Sequence, residues 1–272
     1  MPKLLRVGIV GCGAIGTSLA KAVVKDFKKT ARLNALFDIQ PEKSTRLARL
    51  VSKKISVKNI KRLIGDSDLV IEAASAKSSA AIAEAALRAG RDVMVMSVGG
   101  VIAHRKRLSK IAAANAAKIY LPSGAIAGID GLKAAALGNL GKVTLTTRKN
   151  PASFRGVRFI ESRKIRLEGL KKEKVLFSGK ASQAVKYFPQ NINVAATLSL
   201  AGLGADKTRV RIIASPAIKR NIHEIEIDSR AARISTVTEN VLHPDNPKTS
   251  FLAVLAAIAT LKQIIEPIKI GT

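Results

Sequence analysis

Val7-Gly8-Ile9-Val10-Gly11-Cys12-Gly13-Ala14-Ile15-Gly16 carries an apolar run directly into Gly-x-Gly-x-x-Gly and then into a helical pattern. This is the signature of a nucleotide-binding βα turn, and each glycine has its own physical task. Gly11 makes the tight turn, Gly13 leaves room for backbone to approach a pyrophosphate, and Gly16 lets the helix pack closely on the strand. The amides of Cys12, Ala14 and Ile15 complete the turn, and the helix N-terminus faces the phosphates. A strand over Leu4 to Val10 precedes the turn and a helix over about Ala14 to Phe27 follows it. The next apolar run, Leu33 to Phe37, ends in Asp38. A carboxylate about 20 residues beyond the last glycine can accept hydrogen bonds from the adenosine ribose and repels a 2′-phosphate. NAD is therefore expected over NADP, although Arg46 and the general basicity leave NADP possible.

Outward from this unit the pattern alternates. Expected in turn are a helix over Pro41 to Ser52, a short strand near Ile55, a helical stretch over Asn59 to Ile64 and a buried strand over Asp68 to Ala74. Helix Ser78 to Ala89, strand Asp92 to Met96, helix His104 to Ala116 and strand Lys118 to Leu121 follow. Strands alternating with helices imply a parallel sheet with crossover helices, a Rossmann-type α/β domain. Ligands of such sheets bind at the carboxyl ends of the strands, which makes Ala74 and Ser97 further candidates for cofactor contact.

Near Leu121-Pro122-Ser123-Gly124-Ala125 the character changes. A helix over about Ile129 to Leu140, the alternating run Lys142 to Arg148 and Arg- and Lys-rich loops come next. Beyond them lie a strand over Lys174 to Phe177, helices over Ala181 to Tyr187 and Asn191 to Leu203, and strands over Thr208 to Ala214, Asn221 to Asp228 and Ala232 to Val241. Their period-2 alternation predicts a second, α+β domain whose sheet is mostly antiparallel with helices on one face. The expected division is residues 1–123 for the dinucleotide domain and 124–249 for a substrate and dimerisation domain. A final apolar helix over Ser250 to Ile264, within 250–272, completes the first domain.

Composition narrows the classes. With 47% apolar residues the chain can bury a sizeable core. Its longest unbroken apolar stretch, Phe251 to Ala259, is far short of the ~20 residues of a membrane-spanning helix. The N-terminal run is interrupted by Arg6 and does not read as a signal peptide, so a cytoplasmic protein without membrane attachment is expected. The single cysteine, Cys12, excludes an internal disulfide and a cysteine-based metal cluster, and no metal is expected. There are 47 Lys and Arg against 19 Asp and Glu, a formal net charge of +28. The basic residues are dispersed and only 3% of residues are aromatic, so no base-stacking platform emerges and nucleic acid is not the expected partner. A positive field draws anionic ligands such as dinucleotides and dicarboxylates.

Chemistry is suggested by Asn221-Ile222-His223-Glu224-Ile225-Glu226-Ile227. Alternation puts His223 with Ile225 and Ile227 on one face and the two glutamates on the other. An imidazole held there can act as a proton donor and acceptor. For an anionic substrate the cationic candidates are Arg148, Lys149 and Lys248. His104, opening a helix, reads as structural, and His243, in Leu242-His243-Pro244-Asp245, is an outside candidate for the site.

Several strings resemble the L-aspartate dehydrogenase family. They are Gly11 to Gly16, Leu121-Pro122-Ser123-Gly124-Ala125-Ile126, Thr147-Arg148-Lys149, Phe188-Pro189-Gln190-Asn191-Ile192-Asn193-Val194-Ala195-Ala196-Thr197-Leu198, Asn221-Ile222-His223 and Asn246-Pro247-Lys248-Thr249-Ser250. They run the length of the chain in the family's order. The resemblance implies reversible NAD(P)-dependent oxidation of L-aspartate to iminoaspartate, then oxaloacetate and ammonia, feeding NAD biosynthesis. It implies His223 as the catalytic residue, Ala125 and Asn193 in contact with the cofactor, and a homodimer. Aspartate-semialdehyde dehydrogenases would need a cysteine in the second domain, which is absent. Sugar dehydrogenases usually carry Glu-Lys-Pro where this chain has Ser97-Val98-Gly99. A related dehydrogenase acting on another small carboxylate, or a dinucleotide-sensing regulator that binds nucleic acid, is the alternative.

Overall fold

In the computed structural model, residues 4–51, 55, 59–188, 193–244 and 246–271 are described. The chain divides into two compact units, one of Met1–Pro122 with Val254–Ile270, the other built on Ser123–Ala253.

The first unit alternates strand and helix. Its elements are β1 (Leu5–Val10), α1 (Ala14–Lys25), β2 (Ala31–Phe37), α2 (Pro41–Leu50), α3 (Ile60–Gly65), β3 (Leu69–Glu72), α4 (Ala76–Arg88), β4 (Asp92–Val95), α5 (Arg105–Ala114) and β5 (Ile119–Tyr120). The sheet is parallel in the order β2-β1-β3-β4-β5, the doubly wound arrangement that the alternation predicts. Every residue of β3 is buried, as expected of a parallel strand covered on both faces. Val7, Ile9, Leu36, Leu69, Ile71 and Met94 meet in one core. Ile55 belongs to no strand, although its carbonyl accepts a hydrogen bond from the Leu36 amide at 2.8 Å. Most residues around it lie outside the described ones. His104 is exposed just before α5.

The second unit contains α6 (Ile129–Ala135), β6 (Leu140–Lys149), α7 (Arg158–Ser162), β7 (Lys174–Lys180), α8 (Ala181–Tyr187), α9 (Asn193–Ala201), β8 (Arg209–Ala214), β9 (Asn221–Ser229), β10 (Arg233–Asn240), β11 (Leu242–His243) and β12 (Asn246–Ser250). The helix expected to reach Leu140 stops at Ala135, and the chain passes Gly138 before Leu140 opens a strand. The basic loop beyond β6 contains two short helical turns, Pro151–Phe154 and α7, pinned by the fully buried Phe154.

The main sheet runs β10-β9-β6-β8-β7. Its β10·β9, β9·β6 and β8·β7 pairs are antiparallel and β6·β8 is parallel, so the sheet is mostly antiparallel, as the alternation predicts, with one parallel pair. Register assigns one face to Val143, Leu145 and Thr147 of β6, Ile227, Ile225 and His223 of β9, and Ile234, Thr236 and Thr238 of β10. Helices α6, α8 and α9 cover that face, and Leu132, Ala184 and Leu198 join Leu145, Ile212 and Ile225 in a single core.

The last helix, α10 (Phe251–Ile265), belongs from Val254 onward to the first unit, where Ala257 and Leu261 are fully buried in the core that holds Val7 and Ile9.

Candidate active site

The glycine turn sits where β1 hands over to α1, and the backbone shows what each glycine does. Gly11 has φ +98°, a left-handed conformation that side chains rarely adopt, and a Cβ there would press on the Ala73–Ala74 peptide. Gly16 is packed so tightly that a Cβ would collide with the Gly11 carbonyl oxygen. Gly13 is the opposite case: it is exposed, and a Cβ would meet nothing within 4 Å. Gly13 caps α1 without any side-chain hydrogen bond. The amides of Ala14, Ile15 and Gly16 thus lack the intrahelical partners that later residues have, and remain available to an anion.

Asp38 follows β2 directly beside this turn. Its carboxylate accepts the Cys12 amide at 2.8 Å and the Gln40 amide at 2.9 Å. A carboxylate offers about four lone-pair sites, so capacity remains for ribose hydroxyls. Cys12 itself is buried, and burial, with the nearby Asp38 charge, pushes its thiol up to about 12. It is a protonated space-filler that contributes its backbone. These features fit a dinucleotide: clear space at Gly13, unspent helix amides and a ribose acceptor at the end of β2.

The sequence does not single out Glu72, the last residue of β3. It is fully buried and bridges two strand ends: Oε1 accepts the Ala74 amide at 2.9 Å, the Ser75 amide at 3.1 Å and the Ser97 hydroxyl at 3.0 Å, while Oε2 accepts the Ser97 amide at 3.0 Å. Burial raises its pKa, opposed by those hydrogen bonds. Ala74 and Ser97, both expected at the cofactor, are shaped by this one carboxylate. An acidic residue closing an apolar strand was the available signal.

In the second unit the covered sheet face grades from apolar to polar. Val143 and Ile227 give way to Leu145 and Ile225, then to Thr147 and His223. His223 is 3% exposed, and its Nδ1 lies 3.0 Å from the Thr147 hydroxyl. Two residues beyond Thr147, Lys149 is also buried on this face. Burial brings the Lys149 ammonium down to about 8. Burial, aided by the Lys149 charge, brings His223 down to about 3. At neutral pH the pair is therefore a neutral imidazole beside an ammonium.

The other candidates separate. Arg148 points to the opposite face, where it pairs with Glu224 at 2.6 Å and Glu173 at 3.3 Å. Its expected role as substrate anchor is set aside, since alternation divides it from His223 and its charge is already matched. Lys248 falls in β12, and its side chain lies outside the described part. His243 is buried in β11 against the edge of the Phe251 ring. Ala125 is buried, and its carbonyl accepts Nδ2 of Asn240 at 3.0 Å. Asn193 opens α9 and is exposed. Asn191, a capping candidate for the same helix, lies outside the described residues.

A doubly wound sheet with this glycine turn, joined to a second sheet that buries a histidine, defines a two-domain nicotinamide-dinucleotide oxidoreductase. Residues 11–122 match the family model for the homoserine dehydrogenase NAD-binding domain, and residues 130–264 match that for the aspartate dehydrogenase C-terminal domain. The chain is 47% identical to an L-aspartate dehydrogenase of Methanosarcina barkeri, covering 99% of this chain and 100% of the relative, and 38% identical to one from Methanocaldococcus jannaschii over the same shares. The crystal structure of aspartate dehydrogenase from Thermotoga maritima superposes with a TM-score of 0.76 at 25% identity, covering 99% of this chain and 100% of that one. The chain belongs to the L-aspartate dehydrogenase family.

Proposed function

We propose that this protein catalyses the reversible oxidation of L-aspartate to iminoaspartate, which water converts to oxaloacetate and ammonia, and that it feeds NAD biosynthesis. Family membership supports the reading, and one observation carries the chemistry: a buried histidine kept neutral beside a lysine on the same sheet face.

The residues that would hold NAD, or NADP, are the turn Gly11-Cys12-Gly13-Ala14-Ile15-Gly16, Asp38, Ala74 and Ser97, with Ala125 and Asn193. When bound, the dinucleotide would supply the acceptor for the hydride that leaves the substrate Cα. Lys149 receives a substrate carboxylate. Thr147 accepts Nδ1–H of His223, which leaves the Nε2 lone pair as the base. His223 takes a proton from the substrate ammonium, so that nitrogen can form the C=N bond, and releases it to solvent; it then takes a proton from the water that adds to the imine carbon and returns it to the nitrogen that departs as ammonia. The dicarboxylate's negative charge offsets Lys149 and raises the proton affinity of His223 as the substrate arrives.

The proposed assembly is a cytoplasmic homodimer formed through the second domain, which light scattering would test. Among the described residues, no helix is long and apolar enough to cross a membrane. The decisive experiment is NADH absorbance at alkaline pH with NAD and L-aspartate, with D-aspartate, L-glutamate and L-homoserine as controls. The expected result is a signal with L-aspartate alone. No signal despite dinucleotide binding would overturn the reading.

A further inference from the structure

The sheet face that carries His223 holds two buried oxygens whose hydrogen bonds are unmade. Thr238 stands directly opposite His223 in the antiparallel β9·β10 register, on the flank away from Thr147, and Asn240 follows two residues along, opposite Asn221. Directly opposed residues share a face, with Cβ atoms about 5 Å apart. Asn240 is 1% exposed. Its Nδ2 donates to the Ala125 carbonyl at 3.0 Å and to the Thr238 carbonyl at 3.4 Å, which fixes the orientation of the amide and leaves Oδ1 as the free acceptor. That Oδ1 is buried without a partner, as is the Thr238 hydroxyl oxygen. A buried acceptor without a donor is costly, and two side by side call for a ligand. Thr144 is another such hydroxyl on this sheet, but it faces the opposite side, with Arg148.

We propose that Thr238 and Asn240 recognise the nitrogen of the substrate, together with His223. The inference rests on the aspartate reading and deepens it by assigning the amine subsite. Two residues along a strand are about 7 Å apart, a span that side chains leaning toward one nitrogen can close. A substrate ammonium brings three N–H bonds. Thr238 Oγ1 and Asn240 Oδ1 accept two of them, and the third proton passes to the neutral imidazole of His223. The freed lone pair then forms the C=N bond as the Cα–H bond breaks and its electron pair leaves to the dinucleotide. An iminium with two N–H bonds remains, still held by the same two acceptors. In reverse, the pair presents ammonia with its lone pair free to attack the carbonyl of the keto acid. A 2-hydroxy acid has a single O–H and cannot satisfy both oxygens, which sets the preference for an amine.

The test follows NADH consumption with oxaloacetate and ammonium in wild type, Thr238→Val, Thr238→Ser and Asn240→Leu, with NADH binding measured separately by fluorescence. Thr238→Val keeps the shape and removes the acceptor. The expected result is a KM for ammonium raised about tenfold, with KM for oxaloacetate and Kd for NADH within about twofold, and recovery in Thr238→Ser. Asn240→Leu should show the same selective loss. If it fails to fold through loss of the Ala125 tie, the Thr238 pair decides alone. An active Thr238→Val enzyme with unchanged ammonium KM overturns the assignment, as does a common rise in all three constants. Wild type with no ammonium-dependent NADH consumption would instead overturn the aspartate reading, and this assignment with it.

Discussion

In the first unit the groups that would meet a ligand belong to the main chain and are exposed by the absence of side chains. In the second they are side chains, buried on one sheet face and tuned by one another. The glycine turn works because Gly11 takes φ +98°, Gly16 admits the Gly11 carbonyl and Gly13 leaves open space. The proposed histidine site lies where an apolar face turns polar at one end: Thr147 and Thr238 flank the buried His223 in register, and the buried Lys149 and Asn240 follow two residues beyond them. Binding and chemistry should therefore fail separately when each is cut.

The sharpest separation is His223→Ala. Loss of a positioned general base should lower kcat by about 10³-fold, within the range usual for such groups. The NADH Kd, read by fluorescence titration, should stay within about twofold, since the glycine turn is untouched. Equal loss of turnover and dinucleotide binding would mean that the two regions are not independent and that the histidine is structural.

Two alanine substitutions cut the turn itself. At Gly16 the new Cβ collides with the Gly11 carbonyl oxygen, and overpacking of this kind costs about 1–3 kcal/mol. Gly16→Ala should lower Tm and weaken NAD together, by about 100-fold in Kd. At Gly13 the Cβ meets nothing in the free protein. Gly13→Ala should leave Tm unchanged yet raise the NAD Kd about tenfold, because the methyl occupies space meant for the pyrophosphate. Calorimetry beside titration checks both, and a fall in Tm for Gly13→Ala would remove that glycine from the binding argument.

How far the residues alone reach differs between the regions for the same reason. A βα turn is local, so Gly11, Gly13, Gly16 and Asp38 announce it within one stretch of sequence. Period-2 alternation is also local, and it placed His223 inward with Ile225 and Ile227, where the structure has it. Partners across strands are not local. Period 2 tells which face a residue takes but not which strand lies alongside or in what direction, so the parallel β6·β8 pair and the opposition of Thr147 and Thr238 to His223 were illegible. Glu72 was hidden likewise, because its role exists only where the ends of β3 and β4 meet. Arg148 and Lys149 looked equivalent as cations, and one step of alternation divides them.

Asp38→Ala probes a side chain in the region otherwise ruled by backbone. Asp38 braces the Cys12 and Gln40 amides, so some general weakening is expected. The specific effect is on selectivity: without the carboxylate, NAD loses ribose hydrogen bonds and NADP escapes repulsion, so the NAD-to-NADP preference should fall about tenfold. Parallel Kd measurements check it, and an unchanged ratio would leave Asp38 as a brace for the turn only.

The smallest effect concerns Lys149, and here pH separates function from stability. Burial lowers its pKa from 10.5 to about 8, so the ammonium that would hold a substrate carboxylate is present below about pH 8 and lost above it. Lys149→Met should raise KM for aspartate about fivefold at pH 7, and the ratio of variant to wild type should shrink toward one as pH passes 8. Protonation of the substrate's own amine is common to both enzymes and cancels in that ratio. Stability runs the other way. A lysine whose folded pKa lies below its unfolded value makes the fold less stable as pH falls from 10.5 through about 8, because the unfolded chain takes up the proton more readily. Methionine has no charge to bury, so Lys149→Met should melt above wild type at pH 7, with the gain fading as pH rises from about 8 to 10.5. A variant with higher Tm, poorer KM and unaltered NADH binding would show that this buried charge is kept for the substrate. A KM ratio that stays flat across pH 7 to 9 would place the substrate carboxylates elsewhere.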